Sequence, residues 1–186
     1  MSAMTWTIDP AHTQIEFAVK HMMFTTVRGQ FSDFEGTVEL DRENPAESSV
    51  SVAIQTASVD TGVSDRDEHL RSDDFFDAEN HPRITFEAKR VSGPIDEGGD
   101  FEIVGDLTIR GVTKEVTLDA TFDGTGTDPW GGTRAGFAAE TAIDRRDFDL
   151  TWNQALETGG VLVGHDVKIS LQVQAVLEQE QEAVAV

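Results

Sequence analysis

The sequence predicts an all-β protein, an antiparallel sandwich or barrel interrupted by one helical crossing. Three observations carry this. Eight or nine segments alternate apolar and polar residues with the period of two that half-buried strands require. The connections between them are mostly rich in turn-forming residues. One passage, Thr56 to Phe86, breaks the alternation. It runs about thirty residues where a hairpin loop takes about 2–5, and Leu70, Phe75 and Phe76 make it too apolar for a solvated linker.

Taken in order, Trp6 and Ile8 mark a short strand stopped at Asp9-Pro10, and His12 to Lys20 alternates with Ile15, Phe17 and Val19 on one face. His21-Met22-Met23-Phe24 breaks the alternation with four bulky groups. Gly29 to Leu40 resumes it, but the apolar parity changes between Phe31 and Phe34, which predicts a bulge or bend at Ser32-Asp33. A polar loop leads to the strand Val50–Thr56. In the central crossing, Ser64 followed by Asp67 is a helix start: a hydroxyl can accept orphan amide hydrogens and an acid suits the positive end of the helix dipole. Arg66, His69 and Leu70 then share one helical face. Asn80-His81-Pro82 ends the crossing, because the residue before proline leaves helical geometry. The spacing predicts a short helical plug laying three large apolar side chains against the β structure.

Beyond it come a strand at Ile84–Val91, a glycine-rich turn at 93–100, and a hairpin of Phe101–Arg110 with Glu115–Phe122 around Gly111-Val112-Thr113. DGTGTDPWGGT reads as a loop, Arg134–Ile143 as a strand, and Asp144 to His165 as irregular. The last strand, Asp166–Leu177, places Ile169, Leu171, Val173 and Ala175 on one face. The chain divides into a domain over 1–177 and a polar tail over 178–186.

Composition excludes several functions. The 35 acidic residues outnumber 14 basic ones for a net charge of −21, so the basic footprint that neutralises nucleic-acid phosphates is missing. The chain has no cysteine, which removes disulfides and thiolate chemistry together. No apolar run approaches the roughly 20 residues that cross a bilayer, so stable membrane insertion is not expected. The opening MSAMTWTIDP lacks a basic segment followed by an apolar run, and a cytoplasmic location is the expectation. The five histidines show no close i, i+4 pair and no nucleophile elbow is present, so neither a metal site nor a catalytic set is expected.

The ordered blocks TWTIDPAHTQIEFAVKH, GQF, SVDTG, RDEHLRSDDFFD, HPRITF, GDLTIRGVTKEVTL and IDRRDF resemble the YceI-like family of lipocalin-type polyisoprenoid-binding proteins. The resemblance spans Trp6 to Val176. It implies an extended eight-stranded antiparallel lipocalin-like barrel with a short helical crossover near residues 64–78, enclosing a linear isoprenoid or a fatty chain, with no other cofactor. The chain departs from the family pattern at Thr13, where serine is usual, and at Asp149, where glycine is usual.

On pattern alone the inward side chains fill a closed core. The resemblance makes them the lining of a cavity: Phe17, Val19, Phe24, Phe31, Phe34, Val52, Ile54, Phe75, Phe76, Phe86, Leu107, Ile109, Leu118, Phe137 and Leu171. Met22, Met23 and Phe24 form either an adaptable lip or a buried connection. Arg66, His69 and Arg71 adjoin the plug and could meet a polar head group. Alternatively, the two arginines pair with Asp65, Asp67, Glu68 and Asp73. The resulting reading is a carrier of a long isoprenoid or fatty lipid, a homodimer being open to it through short strand edges. An enzyme acting on a lipid-like substrate and a ligand-free stress or interaction protein are the other classes left open.

Overall fold

Alternation places one face of every strand inward, and closure of the sheet then removes its edges. In the computed structural model, which describes residues 4–178, the strands are β1 (Met4–Ile8), β2 (Gln14–His21), β3 (Thr25–Phe31), β4 (Phe34–Leu40), β5 (Ser49–Gln55), β6 (Val59–Asp60), β7 (Arg83–Ser92), β8 (Asp100–Ile109), β9 (Val112–Thr127), β10 (Thr133–Asp144) and β11 (Val163–Leu177). All pairings are antiparallel. The order β1-β4-β5-β7-β8-β9-β10-β11 closes because β11 returns to β1. The eight-stranded barrel expected from the sequence is the fold. Of the tail, Glu178 is tied to β1 by its amide to the Thr5 carbonyl and by Thr7 Oγ1, while 179–186 lie outside the described residues.

Two staves of the barrel are bent. β1 and β2 both pair along β11, joined through Asp9 and a 3₁₀ turn at Pro10–His12. β3 and β4 are separated at Ser32-Asp33, the predicted bend. There the Ser32 amide reaches the Ser58 carbonyl, and the Asp33 carbonyl accepts from Gln55, so β3 pairs with β6 while β4 pairs with β5.

Local expectations were corrected in three places. The helix α1 spans only Ser64–Arg71, short of residue 78. Ser72 returns to extended geometry with its hydroxyl on the His69 carbonyl, and the acids Asp73 and Asp74 oppose continuation at the negative end of the dipole. Its start lacks a side-chain cap: Val63 is the capping residue, and Asp67 turns back to accept from the Thr61 amide (2.8 Å) and hydroxyl (2.6 Å). The β8–β9 turn is Arg110-Gly111, both at positive φ, so Val112 and Thr113 belong to the strand. Most of DGTGTDPWGGT is also strand, with β9 running on to Thr127. A bulge there sets Gly136 opposite Gly124 and Phe137 opposite Phe122.

One end of the barrel is filled. Trp6, Ile95, Phe122, Ala135 and Ala175 are buried there, and the Arg42 guanidinium covers the Phe122 ring at 4.8 Å while donating to the Ile95 carbonyl. Arg134 braces the same end, donating to Asp9 at 2.7 Å, Asp128 at 2.9 Å and Gln174 at 2.8 Å.

The Arg134 bond, with a smaller contribution from His12, holds the Asp9 carboxyl down at about 2. A depressed carboxylate stabilises the fold above its ordinary value and loses that contribution as pH falls through the folded value. Arg134→Met is therefore expected to destabilise the fold at neutral pH, through loss of its bonds to Asp9 and Asp128. The variant should also show a shallower stability loss than the parent between pH 4 and 2. Chemical denaturation across that range checks both.

Candidate ligand cavity

The inner face of the barrel does not meet in the middle. Val167, Ile169, Leu171 and Val173 of β11 point inward and line a cavity, yet each stays only half-buried. Their uncovered surface faces empty space inside the barrel. The cavity volume is about 370 Å³, lined almost wholly by apolar side chains. It falls toward the lower end of the roughly 300–1,000 Å³ of ordinary ligand sites. Along β11 the lining runs from Val163 to Val173. At strand rise and barrel tilt this is roughly 25 Å of axis.

Packing against glycine keeps the aromatic rings out of the bore. Phe17 sits opposite Gly29 across β2 and β3, and a Cβ on Gly29 would collide with the Phe17 ring. A Cβ on Gly105 would likewise strike Phe86. Each ring occupies the space that a side chain at the glycine would take.

Thirteen of the expected lining residues surround this cavity: Phe17, Val19, Phe31, Val52, Ile54, Phe75, Phe76, Phe86, Leu107, Ile109, Leu118, Phe137 and Leu171. Two do not. Phe24 projects into solvent from the β2–β3 turn, where no wall exists to receive it. Phe34 is buried next to the bend at Ser32-Asp33, yet it is not among the side chains that line the cavity. Met22 and Met23 are exposed as well, which removes the buried-connection reading for that segment.

Polar groups gather where α1 crosses the barrel end. Thr61, Arg66 and His69 line the cavity there, beside Trp152, Leu162 and Val163. Arg66 donates through Nε to the Thr61 hydroxyl (2.7 Å) and through Nη2 to its carbonyl (2.8 Å). The expected pairing of Arg66 and Arg71 with neighbouring acids does not form: among the described residues neither arginine has an ion pair. Arg71 turns away from the cavity toward the Ala57 carbonyl. His69 Nε2 lies 2.8 Å from Asp74 Oδ2, and its ring stands edge-on to Phe75 (5.0 Å) and Trp152 (4.7 Å). Phe76 meets Phe31 at 5.8 Å. The plug thus narrows the opening without closing it.

Sequence reasoning missed Arg145 and Trp152. Arg145 is buried and donates to the carbonyls of Leu150, Trp152, Val163 and Gly164, tying the loop 149–162 to the barrel and placing Trp152 on the rim. Burial pushes its guanidinium below the ordinary value, partly offset by nearby Asp144. The IDRRDF block held this arginine, but nothing in the spacing shows that it would turn inward. Asp149, the departure noted above, adopts the left-handed geometry that glycine would favour (φ 59°), so the loop keeps its backbone path. Among the described residues no three metal-ligating side chains come together, and no helix is long and apolar enough to cross a membrane.

Filling the bore separates a hollow barrel from a packed one. Ala139 lines the cavity between Ala120 and Leu171 on the flanking strands. Ala139→Phe enters empty space, so stability should hold or rise by up to about 2 kcal/mol through burial of the added ring. In a filled core the same change would cost about 1–3 kcal/mol. Thermal denaturation reads the sign, and binding of a fluorescent fatty-acid probe should fall at the same time.

A family model described as the YceI-like domain matches residues 6–175. A protein of the UPF0312 group from Pectobacterium atrosepticum is 46% identical over 140 residues, which is 75% of this chain and 71% of that one. Protein YceI of Shigella flexneri is 45% identical over 139 residues, with the same coverage. Among solved structures, the Campylobacter jejuni YceI protein aligns with TM-score 0.72 and 32% identity, over 86% of this chain and 90% of that one. BcnA of Burkholderia cenocepacia aligns with TM-score 0.78 and 24% identity, over 90% and 98%. A polyisoprenoid-binding domain from Saccharophagus degradans shares the fold at TM-score 0.68 and 14% identity, over 94% and 99%. With nearly the whole barrel matched by the family model and the same closed architecture in solved relatives, the chain belongs to the YceI-like family.

Proposed function

We propose that the barrel binds one long apolar ligand, a polyisoprenoid or related fatty chain, and transports, stores or sequesters it without chemical change. The observation that carries this reading is a continuous apolar bore with Thr61, Arg66 and His69 on its wall where α1 crosses the barrel end. A tail threaded along the bore leaves water, at roughly 25 cal/mol gained per Å² of apolar surface removed. Part of that gain is lost in ordering the chain. The polyisoprenoid-binding domain that shares this fold supports the same ligand class. A head group held at the rim would face the Arg66 guanidinium, which among the described residues has no carboxylate partner, and the His69 ring. The guanidinium suits an acceptor-rich group such as a phosphate, carboxylate or amide.

Solvent extraction of the purified folded protein followed by mass spectrometry tests the reading. One isoprenoid or fatty lipid per barrel is expected, and recovery of no stoichiometric lipid from several hosts would contradict it. Arg66→Gln is expected to weaken a carboxylate-headed chain about tenfold, the scale of one charge-assisted hydrogen bond, while leaving a headless hydrocarbon of equal length unaffected. Titration calorimetry with the two ligands reads the difference.

A further inference from the structure

The β2–β3 hairpin turns through Met22 and Met23, both at left-handed φ (50° and 67°), with the Phe24 amide donating to the His21 carbonyl at 3.1 Å. Left-handed geometry at two successive turn positions favours asparagine or glycine. Two methionines hold it against their own preference. Burial recovers little of that cost, because Met22, Met23 and Phe24 are 41%, 65% and 82% exposed. The segment also reverses the character of the whole chain. From Phe17 to Ser32 it contains no acidic residue, while Lys20 and Arg28 flank the tip in a protein with 35 acids. The pairings Lys20–Thr26 and Ala18–Arg28 place these two exposed cations on one face of the ribbon. The abutting loop carries the acids Asp149 and Glu157, and its Gly160 packs on Met23. Finally, the tip adjoins the opening: the Met22 amide donates to the Leu162 carbonyl at 2.8 Å, and Leu162 and Val163 line the bore.

We propose that the β2–β3 tip docks the protein on a lipid bilayer. Met23 and Phe24 enter the boundary between head groups and acyl chains, and Lys20 and Arg28 meet anionic head groups. The open end of the bore is thereby set against the lipid surface. Binding of this kind adds buried apolar area to local electrostatic attraction and is reversible. The net charge of the body does not forbid it. At physiological salt, charges more than about 8 Å away are largely screened, so the bilayer sees the tip before it sees the barrel.

Flotation of the full chain with phosphatidylcholine vesicles, with and without phosphatidylglycerol, tests the docking. The protein is expected to float with the vesicles, and more of it with phosphatidylglycerol present. Phe24→Ser should reduce the bound fraction about tenfold. Lys20→Glu with Arg28→Glu should remove the dependence on phosphatidylglycerol. Met22→Asn with Met23→Gly should raise the melting temperature by relaxing the turn while weakening vesicle binding. Trp130→Ser, which changes the 87%-exposed aromatic at the opposite end, should leave binding unchanged. The proposal is overturned if the parent protein ignores both vesicles, or if Phe24→Ser floats as well as the parent. It is also overturned if Phe24→Ser acts only by dissolving a dimer. A barrel that yields stoichiometric lipid yet ignores vesicles would sink the docking alone and leave the carrier reading standing.

Discussion

Everything the barrel can do depends on its aromatic side chains lying along the wall instead of across the bore. An eight-stranded barrel is narrow enough for inward side chains to fill it. This one carries 11 phenylalanines, most of them inward, so the default outcome is a solid core. The glycines at positions 29 and 105 change that outcome. Each leaves a depression in the wall that receives a ring, Phe17 in one case and Phe86 in the other. Ala120 and Ala139, facing each other across β9 and β10, spare further width. A few missing methyl groups, correctly placed, leave an apolar channel open along the barrel.

The same sequence divides the barrel into a shut end and a receptive end. At the shut end the rings of Trp6 and Phe122 and the Ile95 side chain fill the cross-section, with Arg42 covering and Arg134 bracing. At the receptive end α1 and its following turns lay Leu70, Phe75 and Phe76 against the rim, and Arg145 holds the loop that presents Trp152. Arg145 meets only carbonyls, so its charge is spent on organising backbone. Arg66 sits on the wall with no carboxylate partner among the described residues. The two arginines show how burial and partner geometry separate a structural cation from one available to a ligand.

The strands, their order of appearance and the bend at Ser32-Asp33 were legible because period-two alternation is a direct consequence of burying one face. The identity of most lining positions followed from the same parity once a cavity was assumed. Three things were not legible. Phe24 and Phe34 look like lining in the sequence, but one is exposed at a turn and the other is buried beside the bend off the cavity, and alternation alone does not tell a buried position from a lining one. The hollow itself depends on which glycine faces which ring across two strands, a long-range pairing such as Phe17 with Gly29. The turn at Met22 and Met23 defied reading because methionine gives no signal for left-handed geometry.

The most direct measurement is diffraction from crystals of the delipidated protein held under xenon, which enters dry apolar cavities. The account predicts xenon atoms strung along the axis between Leu118 and Leu171, with the Phe17 and Phe86 rings packed against Gly29 and Gly105. Crystals that admit no xenon, with Phe31, Phe86 and Phe137 meeting across the centre, would contradict it.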